Sequence, residues 1–533
     1  MRHSAGLAAT VAFALSTAAL PALAQKQGGV LKVTHRDNPP SASIHEEATI
    51  STVFAFMPAF NNLVIFDPKE KRNSPDKIVG DLAKSWSYDA TETKLTFKLH
   101  EGVKWHDGKP FTSADVKCTW DALAGRAPAD SDLIRKNPRK VWYINLKEVT
   151  TSGPHEVTFV LGRPQPSFLG MLASGYTPVY ACHVSGRDMR SKPIGTGPFK
   201  VVEFKRNESI KLVRNPDYFK KGKPHLDGLD FKIVSNRSTR VLGFVAGEFD
   251  LTFDSDITFP LLKDVKSQKP DAVCEARPTN VHSNLIVNRD SPPFDNPKLR
   301  EALVLALDRK TFSDILSQGN EIPGATLLPP PAGVWGMPRT EMEKLPGYGP
   351  DLEKNRAEAR KIMVGLGYGP SKPLKIKIAT RNIAIYRDPA VILIDQLKAI
   401  HIEAELEPID TTVWHTKVQQ KAYQVGLNLT GAGVDDPDVV FYENFHSTSD
   451  RNYTAYKNPE VDKLIDAQSS ERNVEKRKAL VRELETILVR DAARPPINHN
   501  VANTCWQPFV KGLVLQHNSI YNGWRFEDVW IDR

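Results

Sequence analysis

Cysteine is scarce in this chain: Cys118, Cys182, Cys274 and Cys505 are the four among 533 residues. None forms a CxxC pair or stands at zinc-ligand spacing from another Cys or His, which excludes the zinc-stapled modules. Blocks of Lys or Arg are also missing. Lys+Arg 71 against Asp+Glu 63 leave a formal charge of +8, spread thinly over the chain, so a nucleic-acid arm is excluded and no nucleic-acid partner is expected. After residue 24 no stretch comes near the roughly 18 uncharged apolar residues of a membrane-spanning helix. GxSxG, HExxH, Walker A and GxGxxG are all absent. Ser74-Pro75-Asp76-Lys77 fits S-x-x-K formally, but in a Pro- and Lys-rich loop with no helix to place Lys77 behind Ser74. Internal repeats and low-complexity tracts are absent too.

What is present is ordinary for a folded chain. Hydrophobic residues make up 40% and charged residues 25%, as in average globular proteins. The length predicts two to four domains of roughly 100–200 residues each, enough for a core without a staple. The first 24 residues differ in kind. A short polar start, Arg2-His3, precedes an uncharged run of small and apolar residues. Pro21 then breaks it, and Ala22-Leu23-Ala24 fits the small-x-small cleavage rule, with Gln25 as the new N-terminus. This pattern reads as a secretory signal peptide (residues 1–24). The run of about 16 residues is short for a span of about 20, and no Cys follows to carry a lipid. The product is expected to be exported, which in a bacterium means the periplasm. In that oxidising compartment four cysteines permit two disulfides with three connectivities. Cys118 with Cys182, nearest in sequence, is the first choice, and buried free thiols are the alternative.

Periodicity predicts the elements. Residues 28–34, 92–99, 155–161, 198–204, 209–213, 228–234 and 284–288 read as strands. A helix starts near Thr112–Asp115, with Ser113 as candidate N-cap and Val116, Trp120 and Leu123 as its apolar face. Further helices are expected at 238–246, 297–308, 351–366, 389–400, 459–469 and 473–491, and strands at 374–380 and 402–409. The β–α–β order in the later part argues for a parallel or mixed sheet. His106-Asp107-Gly108 reads as a hairpin turn rather than a metal pair. Asp435-Asp436-Pro437-Asp438, in a Gly-rich loop, suits either a cation or ligand amine, or a turn whose carboxylates accept local N–H groups. The picture is two α/β units.

Several segments together resemble one family. Asp81-Leu82-Ala83-Lys84-Ser85-Trp86 and the stretch from Phe97 to Val116 (FKLHEGVKWHDGKPFTSADV) are the most specific. Ile194 to Phe199 (IGTGPF), Asn215 to Phe219 (NPDYF), Asn288 to Asp308, Asp351 to Tyr368, Asn458 to Asp462 (NPEVD) and Phe509 to Gly512 (FVKG) follow in the same order. The mature chain is similar over nearly all its length to the periplasmic solute-binding proteins of peptide-type ABC importers (solute-binding family 5, the oligopeptide/dipeptide/nickel-binding group). The resemblance implies a two-lobed α/β periplasmic binding protein fold (type II, cluster C-like) with an extra subdomain in lobe one. Lobe one takes residues 25–281, with the subdomain at about 66–188. Lobe two takes 282–498, and 499–533 return to lobe one. Crossings are expected near 277–284 and 494–502. In the signature, Trp105 and Phe111 are expected to pack a core while Asp107-Gly108 turns.

The resemblance further implies a non-enzymatic, monomeric protein without a cofactor. It captures a peptide or other small-molecule ligand between its lobes and delivers it to an ABC permease and ATPase complex at the inner membrane. A non-peptide solute such as a metal chelate, sugar or organic acid is the alternative. An exported hydrolase with a split active site, or a binding protein serving a chemoreceptor or as a chaperone, are the rivals. Candidate cleft residues from matching segments are His35, Arg36 and Asp37 after the first strand; Asn61 and Asn62; Arg381, Asn382 and Tyr386 at a strand end in lobe two; Trp414; and Tyr442 and His446 after the Asp cluster. The loop Thr430, Gly431, Ala432 to Asp435 matches the place where relatives hold a ligand amine with a carboxylate. Here Ala432-Gly433 fall at that position. Either Asp435 supplies the charge, or the ligand has no free amine and Arg36 or Arg381 holds a carboxylate instead.

Overall fold

The computed structural model describes residues 25–533; the signal peptide read in residues 1–24 lies outside the described residues. Among the described residues no helix is long and apolar enough to cross a membrane.

Alternation builds the first sheet. In Val30–His35, Leu31 and Val33 are fully buried, as a strand with one face on a core requires. It runs parallel to Gly228–Ile233, whose other edge pairs antiparallel with Ser209–Arg214 and, beyond it, Phe199–Lys205. A second, fully antiparallel sheet has the order Ala83–Tyr88, Lys94–Leu99, Glu156–Leu161, Leu146–Thr151 and forms the core of the subdomain. Leu95, Phe97 and Leu99 point inward beneath the helix Ser113–Leu123, which buries Val116, Trp120 and Leu123; Trp120 meets Phe159 edge-on at 5.2 Å. The N-cap of that helix is Thr112, not Ser113. Thr112 and Asp115 form a reciprocal capping box, while Ser113 Oγ donates to the Gly153 carbonyl at 2.7 Å. Cys118 on this helix is joined to Cys182 (S–S 2.04 Å). Trp105 and Phe111 are buried against each other, centroids 5.8 Å apart. Gly108, at φ +87°, closes the turn by donating its N–H to the Trp105 carbonyl at 2.8 Å.

The third sheet is mixed and five-stranded, ordered Ile402–Ile409, Leu374–Arg381, Val425–Gly431, Val273–Val287, Pro496–Trp506. The first two strands are parallel, as a β–α–β unit demands, and the helix between them spans Ala384–Leu397 with Pro389 inside it. Placing the start at 389 treats Pro389 as a first-turn residue. The turn actually begins where Tyr386 and Arg387 donate to the Ile383 carbonyl.

Two strands are shared by the lobes. Val273–Val287 is 15 residues long, where periodicity showed only its end. Its N-terminal half pairs with residues 501–506 and its C-terminal half with Val425–Gly431. The register against Pro496–Trp506 shifts between Pro278 and His282 and again before Asn284, and Asn280 takes φ +54°. The bridges Val33–Leu251 and Leu251–Trp506 link the first sheet to these crossing strands. At that end Cys274 and Cys505 stand opposite in register and are joined (S–S 2.05 Å). The C-terminal tail then packs on lobe one: Trp524 lies edge-on to Phe54 at 4.6 Å, and Arg525 pairs with Asp81.

The cleft between the lobes as candidate functional site

A cavity lies where the crossing strands lose register, with Thr279, Val281 and Asn500 at its floor. Lobe one contributes Arg36, Thr49, Ser255 and Tyr521; lobe two contributes Arg381, Tyr386, His415, Asn428, Arg451 and Tyr453. A bulged, irregular strand pair cannot fill its own polar positions with ladder bonds, so a site at a hinge comes with backbone and side-chain groups free for a ligand.

Two ion pairs span the cleft: Arg237 with Asp388 at 3.1 Å to one side of the cavity, and Arg381 with Asp37 at the cavity itself. Arg381, at the end of its strand, donates from Nη2 to Asp37 Oδ2 at 2.8 Å and from Nη1 to Tyr386 Oη at 2.9 Å. Asp37 also accepts from Thr411 Oγ1 at 2.7 Å and from Ser51 Oγ at 2.5 Å. Burial disfavours the Asp37 carboxylate, but Arg381 and Arg36 outweigh it and hold the group below its usual value. For Arg381, burial is more than offset by Tyr386 and Asp37, and its value rises. Arg36 is different. It lies over the Phe253 ring at 4.6 Å, its Nε is 3.8 Å from Asp37 Oδ1, and burial dominates, lowering its value. Arg451 pairs with Glu443. Among the described residues no cluster of His, Cys, Asp or Glu is arranged to hold a metal ion.

Of the residues to which the sequence pointed, Arg36, Arg381 and Tyr386 line the cavity, and Asp37 stands directly behind them. The others are placed elsewhere, for local reasons. His35 shares the inward face of Leu31 and Val33; its ring packs edge-on to Phe253 at 5.1 Å, with Nε2 2.9 Å from the Ser51 carbonyl. Asn61 and Asn62 hold the signature segment inside lobe one. Asn61 Nδ2 donates to Asp81 at 2.8 Å and Asn62 Nδ2 to the Ser174 carbonyl at 2.6 Å. Asn382 is exposed and accepts from Arg387 at 3.1 Å. Trp414 is sealed in an apolar cluster with Ile286, Ala379 and Val418; its neighbour His415, about 100° round the helix, reaches the cavity instead.

Thr430 Oγ1 accepts from Asn284 Nδ2 at 2.8 Å, and Ala432 N–H donates to the Asn280 carbonyl at 3.0 Å. A Cβ on Gly431 would fall 2.3 Å from Tyr521 Oη, so this loop packs on lobe one, and the cavity is reached two residues earlier, at Asn428 and Leu429. Asp435 does not line the cavity; it is bonded to Asn518 of the returning tail, whose Nδ2 donates to it at 3.3 Å. Asp436 caps the helix Pro437–Asn444 and pairs with Arg477 at 2.6 Å. Tyr442 accepts from Arg163 at 2.7 Å, and His446 lies 5.5 Å from the Tyr442 ring, with Nδ1 2.9 Å from Thr448 Oγ1. Tyr442 thus faces the subdomain, and His446 lies just past the end of that helix. Sequence reasoning missed His415, Arg451, Tyr453, Asn500 and Tyr521. Tyr521 comes from the returning tail and Arg451 from an irregular turn, so neither carries a periodic signal. His415 was one helix position away from the residue selected.

The fold and this cleft define a two-lobed solute-binding protein. The model of the bacterial extracellular solute-binding proteins, family 5, matches residues 77–452, and the chain belongs to that family. A "Probable di/tripeptide-binding protein 5" of Pseudomonas aeruginosa is 26% identical over 534 residues, covering 94% of this chain and 96% of that protein. "Heme-binding protein A" of Haemophilus influenzae is 27% identical over 484 residues, covering 85% and 84%. In fold the chain is similar to the periplasmic binding protein DppA of Helicobacter pylori in complex with the peptide STSA. The TM-score is 0.83 at 21% identity, covering 95% of this chain and 99% of that one.

Proposed function

We propose that this protein is the periplasmic capture component of an ABC importer, enclosing a small solute between its lobes and presenting the closed form to an inner-membrane permease and its ATPases. The observation that carries the reading is the cavity at the strand crossing, walled by both lobes and bridged by the Arg381–Asp37 pair at 2.8 Å. Such a contact forms only when the lobes meet, so a ligand that prefers the closed form shifts the population toward it. The names of the relatives supply the solute class: a di/tripeptide for one, a peptide in a solved complex for another, heme for a third. A peptide or peptide-like solute is the main reading. The Ala432-Gly433 pair and the absence of Asp435 from the cavity wall favour a second reading, a solute without a free amino terminus.

The test is direct. Mature protein is screened by thermal shift against di- to pentapeptides and against small acids, sugars and chelates, and compounds that raise Tm are followed by small-angle scattering. A ligand that binds only the folded, closed form raises Tm by mass action and reduces the radius of gyration. Turnover of a bound compound that disappears on substituting a cleft residue would overturn the reading in favour of an enzyme.

A further inference from the structure

The charges around the cleft do not balance. Arg36, Arg381 and Arg451 line the cavity, and no Asp or Glu lines it among the described residues. Arg139 and Arg494 lie behind, close enough to Glu443 and Arg451 to feel their charges. Against these five guanidinium groups stand three buried carboxylates: Asp37 on Arg381, Glu443 on Arg451, and Glu47, which feels Arg139 but is also shared with Lys136 at 3.9 Å. The next carboxylates on the lobe-one side are already taken: Asp256 by Arg240 at 2.6 Å and Asp254 by Arg277 at 2.8 Å.

The surplus is visible atom by atom. Arg36 is 6% exposed, and its Nε has no hydrogen-bond partner among the described residues. The same holds for Arg451 Nε, Arg494 Nη2, Arg139 Nη1 and both ring nitrogens of His415. A buried guanidinium short of acceptors is costly unless an anion completes it, and its planar fork matches a carboxylate. An ammonium group in the same place would meet only carboxylates already paired with guanidinium groups, because Asp435 does not line the cavity and is bonded to Asn518.

Building on the solute-capture reading, we propose that the solute is an anion, carrying at least one carboxylate and no free ammonium, and that Arg36 is the guanidinium that receives it. The experiment uses the mature, disulfide-intact protein stripped of ligand by unfolding and refolding. At fixed ionic strength it is melted with succinate, glutarate and N-acetyl-Ala-Asp, and with Ala-Ala amide and putrescine as amine-bearing counterparts. At least one carboxylate is expected to raise Tm by several degrees, the amines by none, and Arg36→Gln should abolish the shift. The ligand-free variant should melt at or above the wild type, since a surplus buried charge has been removed.

The assignment is overturned if an amine-bearing compound stabilises as much as the best carboxylate, if no carboxylate stabilises, or if Arg36→Gln keeps the shift. Should Arg36→Gln not fold, native mass spectrometry of wild-type protein from periplasmic extract decides the same point: a bound acid supports the assignment, and a bound amine or neutral solute overturns it. Scattering separates the two readings. An amine that compacts the protein removes the charge assignment and leaves capture standing; carboxylates that raise Tm without compaction do the reverse.

Discussion

Asp435 shows how one residue's surroundings decide its role. It sits in the loop where a ligand-pairing carboxylate was expected, yet its partner is Asn518 at 3.3 Å. Burial pushes its carboxyl up to about 6, against a smaller lowering by Asn518. The sign follows from linkage. With the folded value above the unfolded one, the folded state holds a proton that the unfolded state gives up as pH rises through about 4 to 6. The ionised carboxylate therefore destabilises the fold fully above pH 6 and not at all near pH 3. Asp435→Asn should stabilise the protein by about 1–2 kcal/mol at pH 7.5 and give no gain at pH 3.5, with ligand affinity unchanged. Urea denaturation at the two pH values and calorimetry with a bound ligand check it; a loss of affinity of tenfold or more would return Asp435 to the site. Which side chain reaches the cleft was legible only where strand ends set it. Arg36 directly follows the strand Val30–His35 and Arg381 closes Leu374–Arg381, both of known phase. Trp414 and His415 are adjacent on a helix whose rotation is fixed by packing on Ile286 and Ala379, and nothing in the local sequence states that rotation.

At the scale of elements, the strands read most cleanly were those with one face on a core. Lys94–Leu99 alternates because Leu95, Phe97 and Leu99 face a helix while the other face is wetter. Val273–Val287 defeated the same reasoning. From Val281 to Val287 every residue is buried, polar ones included, because the strand is central in its sheet and changes lobe midway, so neither a polar nor an apolar period survives. The two disulfides bear differently on these elements. Cys118–Cys182 closes a sequence separation of 64 inside lobe one, and Cys274–Cys505 one of 231 that contains nearly all of lobe two. Loop entropy grows with the logarithm of that length, so removing either bridge should cost roughly 3–5 kcal/mol, with the longer loop costing about 1 kcal/mol more. The double variants Cys118→Ser/Cys182→Ser and Cys274→Ser/Cys505→Ser, compared by chemical denaturation, test the order. Because Cys274–Cys505 lies at the lobe-one end of the crossing, away from the register shift at Pro278–Asn284, its removal should leave lobe closure unchanged in scattering.

At the scale of the whole molecule, closure is secured far from the cavity as well as beside it. The subdomain reaches the lobe-two helices through Arg163, Gln165 and Ser167. Arg163 donates to Tyr442 Oη at 2.7 Å and pairs with Asp466 at 3.1 Å. Gln165 Nε2 and Ser167 Oγ donate to Asp438 at 3.1 and 2.5 Å. Asp438 is fully buried and keeps partners on its own side: Ser469 at 2.8 Å, Arg477 at 3.4 Å, and Gln468. Removing the subdomain's two donors therefore spares the fold of lobe two and weakens only the contact between the lobes. In an open form water would satisfy Asp438 instead, so the net loss on closing is smaller than the full strength of two hydrogen bonds to a charged group, about 1–2 kcal/mol together. Gln165→Ala/Ser167→Ala should then shift the ligand-free population toward an open form with a larger radius of gyration. It should weaken any ligand that requires closure by roughly 5–30-fold, because apparent affinity scales with the fraction of molecules able to close. The weakening should appear in the dissociation rate, and the Tm of the ligand-free protein should move little. If scattering and affinity both match the wild type, the subdomain contact does not hold the lobes together, and closure rests on the cleft residues alone.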